Sequence, residues 1–124
     1  MHNGEDQPRM RILIIEDEPM LALDLQDLLE DAGFAVAGMV GKLDKAMTMI
    51  ESTPCDAAIV DANLCGVSSG PAAAALAARG VPFIVLSGYS LKQLPAAFPK
   101  AIFIQKPCRP VQLINALKAI RMQQ

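Results

Sequence analysis

The stretch RILIIEDEP, residues 11–19, is the part of the chain that says most about its fold. It begins with an arginine followed by four aliphatic residues. A continuous run of this kind is typical of a strand buried on both faces of a parallel sheet. Glu16, Asp17 and Glu18 end the run, and Pro19 suits the first turn of a helix. The stretch therefore predicts a buried strand that ends in acids and leads into a helix.

The same alternation of short apolar runs and longer amphipathic segments continues along the chain. Strands are predicted from runs of aliphatic residues, and helices from apolar residues spaced three or four apart. The predicted strands are residues 11–15, 34–40, 57–60, 82–86 and 101–104, and the predicted helices are residues 20–31, 43–51, 71–79 and 111–120. Pro95 and Pro99 predict that the helix between the fourth and fifth strands is short, distorted or absent.

Strict alternation of strand and helix predicts an α/β domain, in which helices cover both faces of a parallel sheet. Five such strands suit a doubly wound, flavodoxin-like (βα)5 fold with strand order 2-1-3-4-5, although periodicity by itself does not give the order. The length of 124 residues suits one domain. We expect a flexible leader at residues 1–9, the domain at residues 10–121 and a short tail at residues 122–124.

Composition narrows the class of protein. A formal net charge of −2 provides no basic field that would attract nucleic acid. The sequence contains no run of 18 apolar residues, and its first residues lack the apolar segment of a signal peptide. The three cysteines form no CxxC pair, so we expect reduced thiols in a cytoplasmic protein rather than a zinc site.

Polar side chains follow four of the five predicted strands. Glu16 and Asp17 follow the first strand, Asp61 the third, Ser87 the fourth and Lys106 comes just after the fifth. Because ligands bind at the carboxyl ends of strands in open parallel sheets, we expect these side chains to meet at one edge. Three neighbouring carboxylates repel one another unless a cation lies among them, and oxygen ligands suit Mg²⁺.

This set of side chains favours phosphoryl transfer. With Mg²⁺ held by the first two acids, Asp61 is free to act as a carboxylate nucleophile. Lys106 and the hydroxyl of Ser87 would then stabilise charge on the transferred group. Each residue alone has an ordinary explanation, as a solvated acidic loop, a helix N-cap, a surface lysine or a turn. Their coincidence at several strand ends favours the functional interpretation.

Four motifs resemble the receiver domains of bacterial two-component response regulators. They are IIEDE at residues 14–18, IVDANL at 59–64, VLSGY at 85–89 and QKP at 105–107. The resemblance implies a signalling domain rather than an enzyme, phosphorylated by a sensor histidine kinase or a histidine phosphotransfer protein. Its change of conformation would then signal to a downstream protein partner, with no role for nucleic acid or membrane.

The resemblance also implies roles for individual residues. The phosphoacceptor would be Asp61, and Mg²⁺ would be held by Glu16, Asp17, Asp61 and the backbone carbonyl of Asn63. Lys106 would contact the transferred phosphoryl group.

The switch between two conformations would involve three further residues. Ser87 falls on the hydroxyl switch position of the family, and Phe103 on its aromatic switch position. A core aromatic is an equally good interpretation of Phe103, with Tyr89 as the alternative mobile aromatic. The resemblance also implies a cis peptide bond between Lys106 and Pro107.

A narrower resemblance concerns PFIVLSGY, residues 82–89, which with the EDEP and KP-x-RP motifs is similar to the FAT GUY subgroup. These are stand-alone receivers that often work with HWE-type histidine kinases. Leu86 and Cys108 depart from the subgroup pattern. Neither position takes part in phosphoryl chemistry, so the departures concern the subgroup and the partner surface.

Two other functions compete with phosphoryl acceptance. The first is a phosphorylation-independent adaptor, or pseudo-receiver, which Glu16 keeps open because many receivers have Asp there. The second is an aspartyl-phosphate phosphatase of the haloacid-dehalogenase type, which needs a second acid two residues after the nucleophile. Position 63 is Asn, which disfavours that enzyme. The sequence contains no GxxxxGK[ST] motif for a nucleotide-binding P-loop.

Overall fold

Five parallel strands form a single sheet in the computed structural model of the protein, which describes residues 9–88, 98 and 101–123. The strands are β1 (Arg11–Ile15), β2 (Ala35–Val40), β3 (Ala57–Asp61), β4 (Phe83–Ser87) and β5 (Ile102–Gln105). Their order across the sheet is β2-β1-β3-β4-β5, and each neighbouring pair is parallel. The predicted flavodoxin-like order 2-1-3-4-5 is therefore confirmed.

Four helices lie in the described part of the chain. They are α1 (Pro19–Asp31), α2 (Leu43–Ser52), α3 (Gly70–Ala78) and α4 (Pro110–Met122). The last helix extends two residues beyond the predicted end at residue 120, because its apolar face stops before its backbone hydrogen bonds do. The predicted distorted helix falls within residues 89–100, which apart from residue 98 lie outside the described residues, as do residues 1–8 of the leader.

Buried side chains on both faces of the sheet explain why its central strands consist almost entirely of apolar residues. Alternate residues of a strand point to opposite faces. On one face, Ile12 and Ile14 pack in a core with buried residues of α1 and α4. On the other, Leu13 and Ile15 pack in a second core with α2 and α3. Because both faces of the sheet are closely packed, the strand ends and the side chains on them are held in fixed positions.

A short hairpin follows β3, where a loop was predicted. The two-residue strands Asn63–Leu64 and Val67–Ser68 pair antiparallel. Cys65 and Gly66 form the turn with φ of 54° and 84°. Glycine adopts positive φ without cost, whereas the position of Cys65 is unusual for a residue with a side chain. Strands of two residues have no periodicity to detect, which is why the sequence did not reveal them.

None of the helices in the described ranges has the length and apolar character required to cross a membrane.

The attachment of α3 to the sheet gives a first prediction. Its buried residues are two alanines and Leu76, which is 0% exposed. We expect Leu76→Ala to lower the free energy of unfolding by about 2–5 kcal/mol, because it leaves a cavity under the helix. Urea denaturation measures the change. Leu23→Ala removes the same atoms from a residue that is 48% exposed on α1, and should cost less than about 1 kcal/mol. Equal losses would contradict this account of the core.

Candidate functional site

Three strand ends place acidic and basic side chains together at the carboxyl edge of the sheet. Ile15 of β1 lies beside Val60 of β3, so the residues that follow them emerge at the same height. One carboxylate oxygen from each of Glu16, Asp17 and Asp61 lies within 4.8 Å of the other two. The predicted cluster of three carboxylates is therefore present.

Lys106 supplies positive charge to this cluster. Its Nζ donates a hydrogen bond of 2.8 Å to Asp61 Oδ2 and lies 3.6 Å from Glu16 Oε1. Burial lowers the pKa of Lys106, but the hydrogen bond to Asp61 and the nearby carboxylates outweigh it and raise the pKa above its usual value. Lys106 therefore stays protonated and holds the two buried acids together.

Glu16 and Asp61 are more deeply buried than Asp17, and the pKa values of Glu16 and Asp17 are shifted in opposite directions. Glu16 and Asp61 are 4% and 6% exposed. Burial raises the pKa of Glu16 to about 7; the neighbouring Asp61 adds to the rise, while the backbone N–H of Glu18 and the Lys106 ammonium oppose it. For Asp17 burial also acts against the charge, but hydrogen bonds led by the backbone N–H of Cys65 lower its pKa.

The residues present fit a divalent cation. Glu16 Oε2 accepts a hydrogen bond of 3.1 Å from the backbone of Glu18, whereas the buried Oε1 accepts none from the described residues. A buried carboxylate oxygen without a donor is costly, and a hard cation with oxygen ligands would satisfy it. The pKa of Glu16 is raised chiefly by burial, which shows that this carboxylate is poorly solvated when charged. Glu16, Asp17 and Asp61 could together hold Mg²⁺.

The loop after Asp61 is tied back to the site by backbone donors. The N–H of Asn63 donates to Asp61 Oδ1 at 3.1 Å, and the N–H of Cys65 donates to Asp17 Oδ2 at 2.9 Å. The side-chain oxygen of Asn63 accepts from Gly66 at 2.8 Å and so closes the turn. The metal-binding role of the Asn63 backbone carbonyl stays a prediction.

Ser69 is a site residue that the sequence analysis missed. It is 0% exposed, and its Oγ donates a 2.6 Å hydrogen bond to the backbone oxygen of Asp61. Its N–H donates to the backbone oxygen of Ala62 at 3.0 Å. A serine just before a helix suggests an N-cap, yet Ser69 makes no side-chain cap on α3. It instead fixes the backbone that carries Asp61.

Comparison with known proteins decides the family. Residues 12–118 match the family described as the response regulator receiver domain. The chain belongs to this family. Receiver domains are signalling domains rather than metabolic enzymes, and the curated relatives of this one are named as regulators.

Two curated relatives and one solved structure illustrate the similarity of this receiver domain to others. Phyllosphere-induced regulator PhyR of Methylorubrum extorquens is 35% identical over 106 residues, which cover 82% of this chain and 40% of PhyR. Transcriptional regulatory protein PdtaR of Mycobacterium tuberculosis is 26% identical over 113 residues, which cover 90% of this chain and 55% of PdtaR. The receiver domain thus spans about half the length of the curated relatives it matches. The solution structure of SdrG from Sphingomonas melonis Fr1 is 38% identical, with a TM-score of 0.77, and covers 91% of this chain and 97% of SdrG.

The structure describes two of the three predicted switch residues of the receiver domain. Ser87 is buried at the end of β4, and its backbone oxygen accepts a 2.8 Å hydrogen bond from the N–H of Lys106. Phe103 is half-buried in β5, with its ring edge-on to that of Phe98 at 6.2 Å. Phe103 thus packs as a core aromatic, and its switch role stays a prediction. Tyr89 lies outside the described residues.

The peptide bond from Lys106 to Pro107 is cis, as predicted.

Binding of Mg²⁺ to the carboxylates gives a second prediction. A ligand that binds the folded state stabilises it by about 2.7 kcal/mol at 100 times its Kd. We expect Mg²⁺ to raise the thermal unfolding midpoint of the wild-type protein and to have little effect on Asp17→Asn. Asp31→Asn makes the same change at an exposed position at the end of α1 and should keep the full response. A response that Asp17→Asn retains would place the ion elsewhere.

Ser69 gives a third prediction. We expect Ser69→Ala to lower the free energy of unfolding by about 1–3 kcal/mol, because a buried carbonyl loses its donor. Ser52→Ala removes an exposed hydroxyl that donates to the Thr48 backbone at 3.0 Å, and should cost much less. Denaturant titration of both variants measures the difference, and similar losses would show that Ser69 has no special role in holding the loop.

Proposed function

We propose that this receiver domain accepts a phosphoryl group on Asp61, in a Mg²⁺-dependent reaction, from a sensor histidine kinase or a histidine phosphotransfer protein. The observation that carries the proposal is the environment of the Asp61 carboxylate. It lies at the buried end of β3 among two other carboxylates, with Lys106 Nζ 2.8 Å from Oδ2. An acid so placed at a strand end suits nucleophilic attack on phosphorus.

The proposed transfer forms a bond from an Asp61 carboxylate oxygen to phosphorus and breaks the bond from phosphorus to the nitrogen of the donor histidine. Glu16 and Asp17 would hold Mg²⁺, which when bound neutralises charge on phosphoryl oxygens. Lys106 offers an ammonium that is already hydrogen-bonded to the Asp61 carboxylate and would stabilise charge on the transferred group. The Asn63 N–H, which donates to Asp61 Oδ1, orients the carboxylate for attack.

The conformational signal of phosphorylation would be transmitted through the end of β4. The Ser87 hydroxyl would hydrogen-bond the new phosphoryl group. Because the Ser87 carbonyl accepts from the Lys106 N–H and Ser87 pairs in register with Gln105, its displacement acts directly on the end of β5. Such a local change shifts a two-state equilibrium that a downstream protein partner can detect.

The partners and setting of the domain follow from the resemblance. The FAT GUY-type motif suggests an HWE-type kinase, a place in the cytoplasm and action without nucleic acid or membrane. Similarity to SdrG over nearly the whole of both chains supports a link with small receivers of this kind. At most slow autodephosphorylation is expected of the domain, so we do not propose an enzyme.

One observation favours a second candidate, the phosphorylation-independent adaptor. Lys106 lies 2.8 Å from Asp61 and 3.6 Å from Glu16, so an ammonium already compensates part of the charge of the two buried acids. A site whose negative charge is partly compensated in this way would be stable without phosphorylation. The adaptor differs from the phosphoacceptor in needing neither Mg²⁺ nor an intact Asp61 for its binding of partners.

The fourth prediction tests the phosphoacceptor directly. We expect incubation with acetyl phosphate or phosphoramidate to add one phosphoryl group to the wild-type protein, seen by intact mass spectrometry, only when Mg²⁺ is present. Asp61→Asn should gain nothing, because the amide is not a nucleophile. Asp44→Asn makes the same change at an exposed position in α2 and should be labelled like wild type. Failure to label the wild type, under conditions that label another receiver, would favour the adaptor.

A further inference from the structure

Asp17 is held in place differently from the other two carboxylates of the site. Glu16 and Asp61 are buried, and Lys106 Nζ lies 3.6 Å from the first and 2.8 Å from the second. Asp17 is only half-buried, and its Oδ2 accepts a 2.9 Å hydrogen bond from the backbone N–H of Cys65. The position of the Asp17 carboxylate therefore depends on the hairpin that follows β3.

The donor to Asp17 sits in an unusual backbone conformation. Cys65 is the one non-glycine residue with positive φ among the residues that the structure describes. A residue with a side chain adopts this conformation only where its surroundings impose it. The next residue, Gly66, has φ of 84°, and its N–H donates a 2.8 Å hydrogen bond to the side-chain oxygen of Asn63. This bond closes the turn and so keeps the Cys65 N–H directed at Asp17.

The backbone and the side chain of Asn63 thus serve different carboxylates. The Asn63 N–H donates to Asp61 Oδ1 at 3.1 Å, whereas Asn63 Oδ1 closes the turn that carries the donor to Asp17. One residue is thereby linked to two of the three carboxylates that lie together at the site. A substitution of Asn63 removes the link through the side chain and keeps the backbone N–H.

We propose that the side chain of Asn63 is a positioning residue for the cation site, which closes the turn at Cys65 and Gly66 and thereby holds the Asp17 carboxylate ready to bind Mg²⁺. The side chain acts through the backbone of the turn rather than as a ligand. A ligand that is already ordered loses less conformational freedom when the ion binds, so the affinity is higher. This inference deepens the proposed function and rests on it, because it requires that these carboxylates bind Mg²⁺.

Calorimetric titration with Mg²⁺ tests the role of the side chain. We expect Asn63→Ala to raise the Kd by about 10–100-fold, the range typical of groups that orient a metal ligand. Asn63→Ser keeps an oxygen that closes such turns more weakly, and should bind Mg²⁺ more tightly than Asn63→Ala. The three side chains are all uncharged, so the charge of the site stays constant. A wild-type Kd in Asn63→Ala, or equal Kd values in the two variants, would overturn the proposal.

Two glycines separate an effect on the site from a general loss of stability. Gly66 and Gly80 have φ of 84° and 72°, and a Cβ on either would meet no listed neighbour within 4 Å. Alanine at either position should lower the free energy of unfolding, because a side chain disfavours positive φ. Gly66→Ala also disturbs the turn and should raise the Kd for Mg²⁺, whereas Gly80→Ala, at the end of α3, should not. A rise in both variants, or in neither, would contradict the role of the turn.

Labelling with acetyl phosphate separates the positioning of Asp17 from an action on the transfer itself. We expect Asn63→Ala to be labelled slowly at low Mg²⁺ and excess Mg²⁺ to restore the rate. Slow labelling at saturating Mg²⁺ with an unchanged Kd would assign the side chain to the transfer step and overturn the proposal.

The two proposals fail separately. Mg²⁺ binding that Asn63→Ala weakens, without labelling of Asp61 in the wild type, contradicts the phosphoacceptor alone. Mg²⁺-dependent labelling of the wild type, with a wild-type Kd in Asn63→Ala, contradicts the positioning role alone.

Discussion

The ion pairs that Lys106 makes with Asp61 and Glu16 are the constraint on which the arrangement of the site depends. Both acids are almost fully buried, and a buried charge without a partner costs several kcal/mol. The carboxyl ends of β1, β3 and β5 must therefore lie at one height, so that one ammonium reaches 2.8 Å from one acid and 3.6 Å from the other. Lys106 compensates the negative charge of the two acids only in part, since Glu16 Oε1 accepts no hydrogen bond from the described residues.

The rigidity of the site comes from the sheet, and its chemistry from the loops that leave it. Each central strand is packed on both faces, in one core with α1 and α4 and in another with α2 and α3. Groups carried on such strands are held more firmly than groups carried on loops alone. Two hydrogen bonds hold the hairpin after Asp61, one from Ser69 Oγ to the Asp61 backbone oxygen and one from the Cys65 N–H to Asp17 Oδ2. A domain this small can thus hold its acids in fixed positions.

The loop after β3 supplies a backbone donor to the carboxylates of the site. Glu16, Asp17 and Asp61 supply hard oxygen ligands, and the backbone N–H of Cys65 donates to the Asp17 carboxylate. A cation site that is also the site of phosphorylation would couple the availability of metal ions to the signal that the domain carries.

The sequence by itself determined the class of the fold and most of the site. Aliphatic runs such as residues 11–15 predicted strands, helical spacing predicted the helices, and the polar residues after those runs identified Asp61 and Lys106. Periodicity did not give the order of the strands, which came from the resemblance to receivers and is confirmed by the sheet. The boundaries differ by a residue or two, because Asp61 and Ser87 belong to their strands through pairing with Leu86 and Gln105 rather than through hydrophobicity.

Only the tertiary structure decided the contacts that finish the site. Cys65 and Asp17 are 48 residues apart in the chain, and Lys106 and Asp61 are 45 apart. The hydrogen bond from Ser69 to the Asp61 backbone depends on a hairpin too short to leave a pattern. Local propensity reports on neighbours within a turn or a strand, whereas these contacts depend on where separate strand ends come to rest after both faces of the sheet are buried. The sequence therefore identified the charged residues of the site, whereas Ser69 and the hydrogen-bonded partners of those residues were found only in the structure.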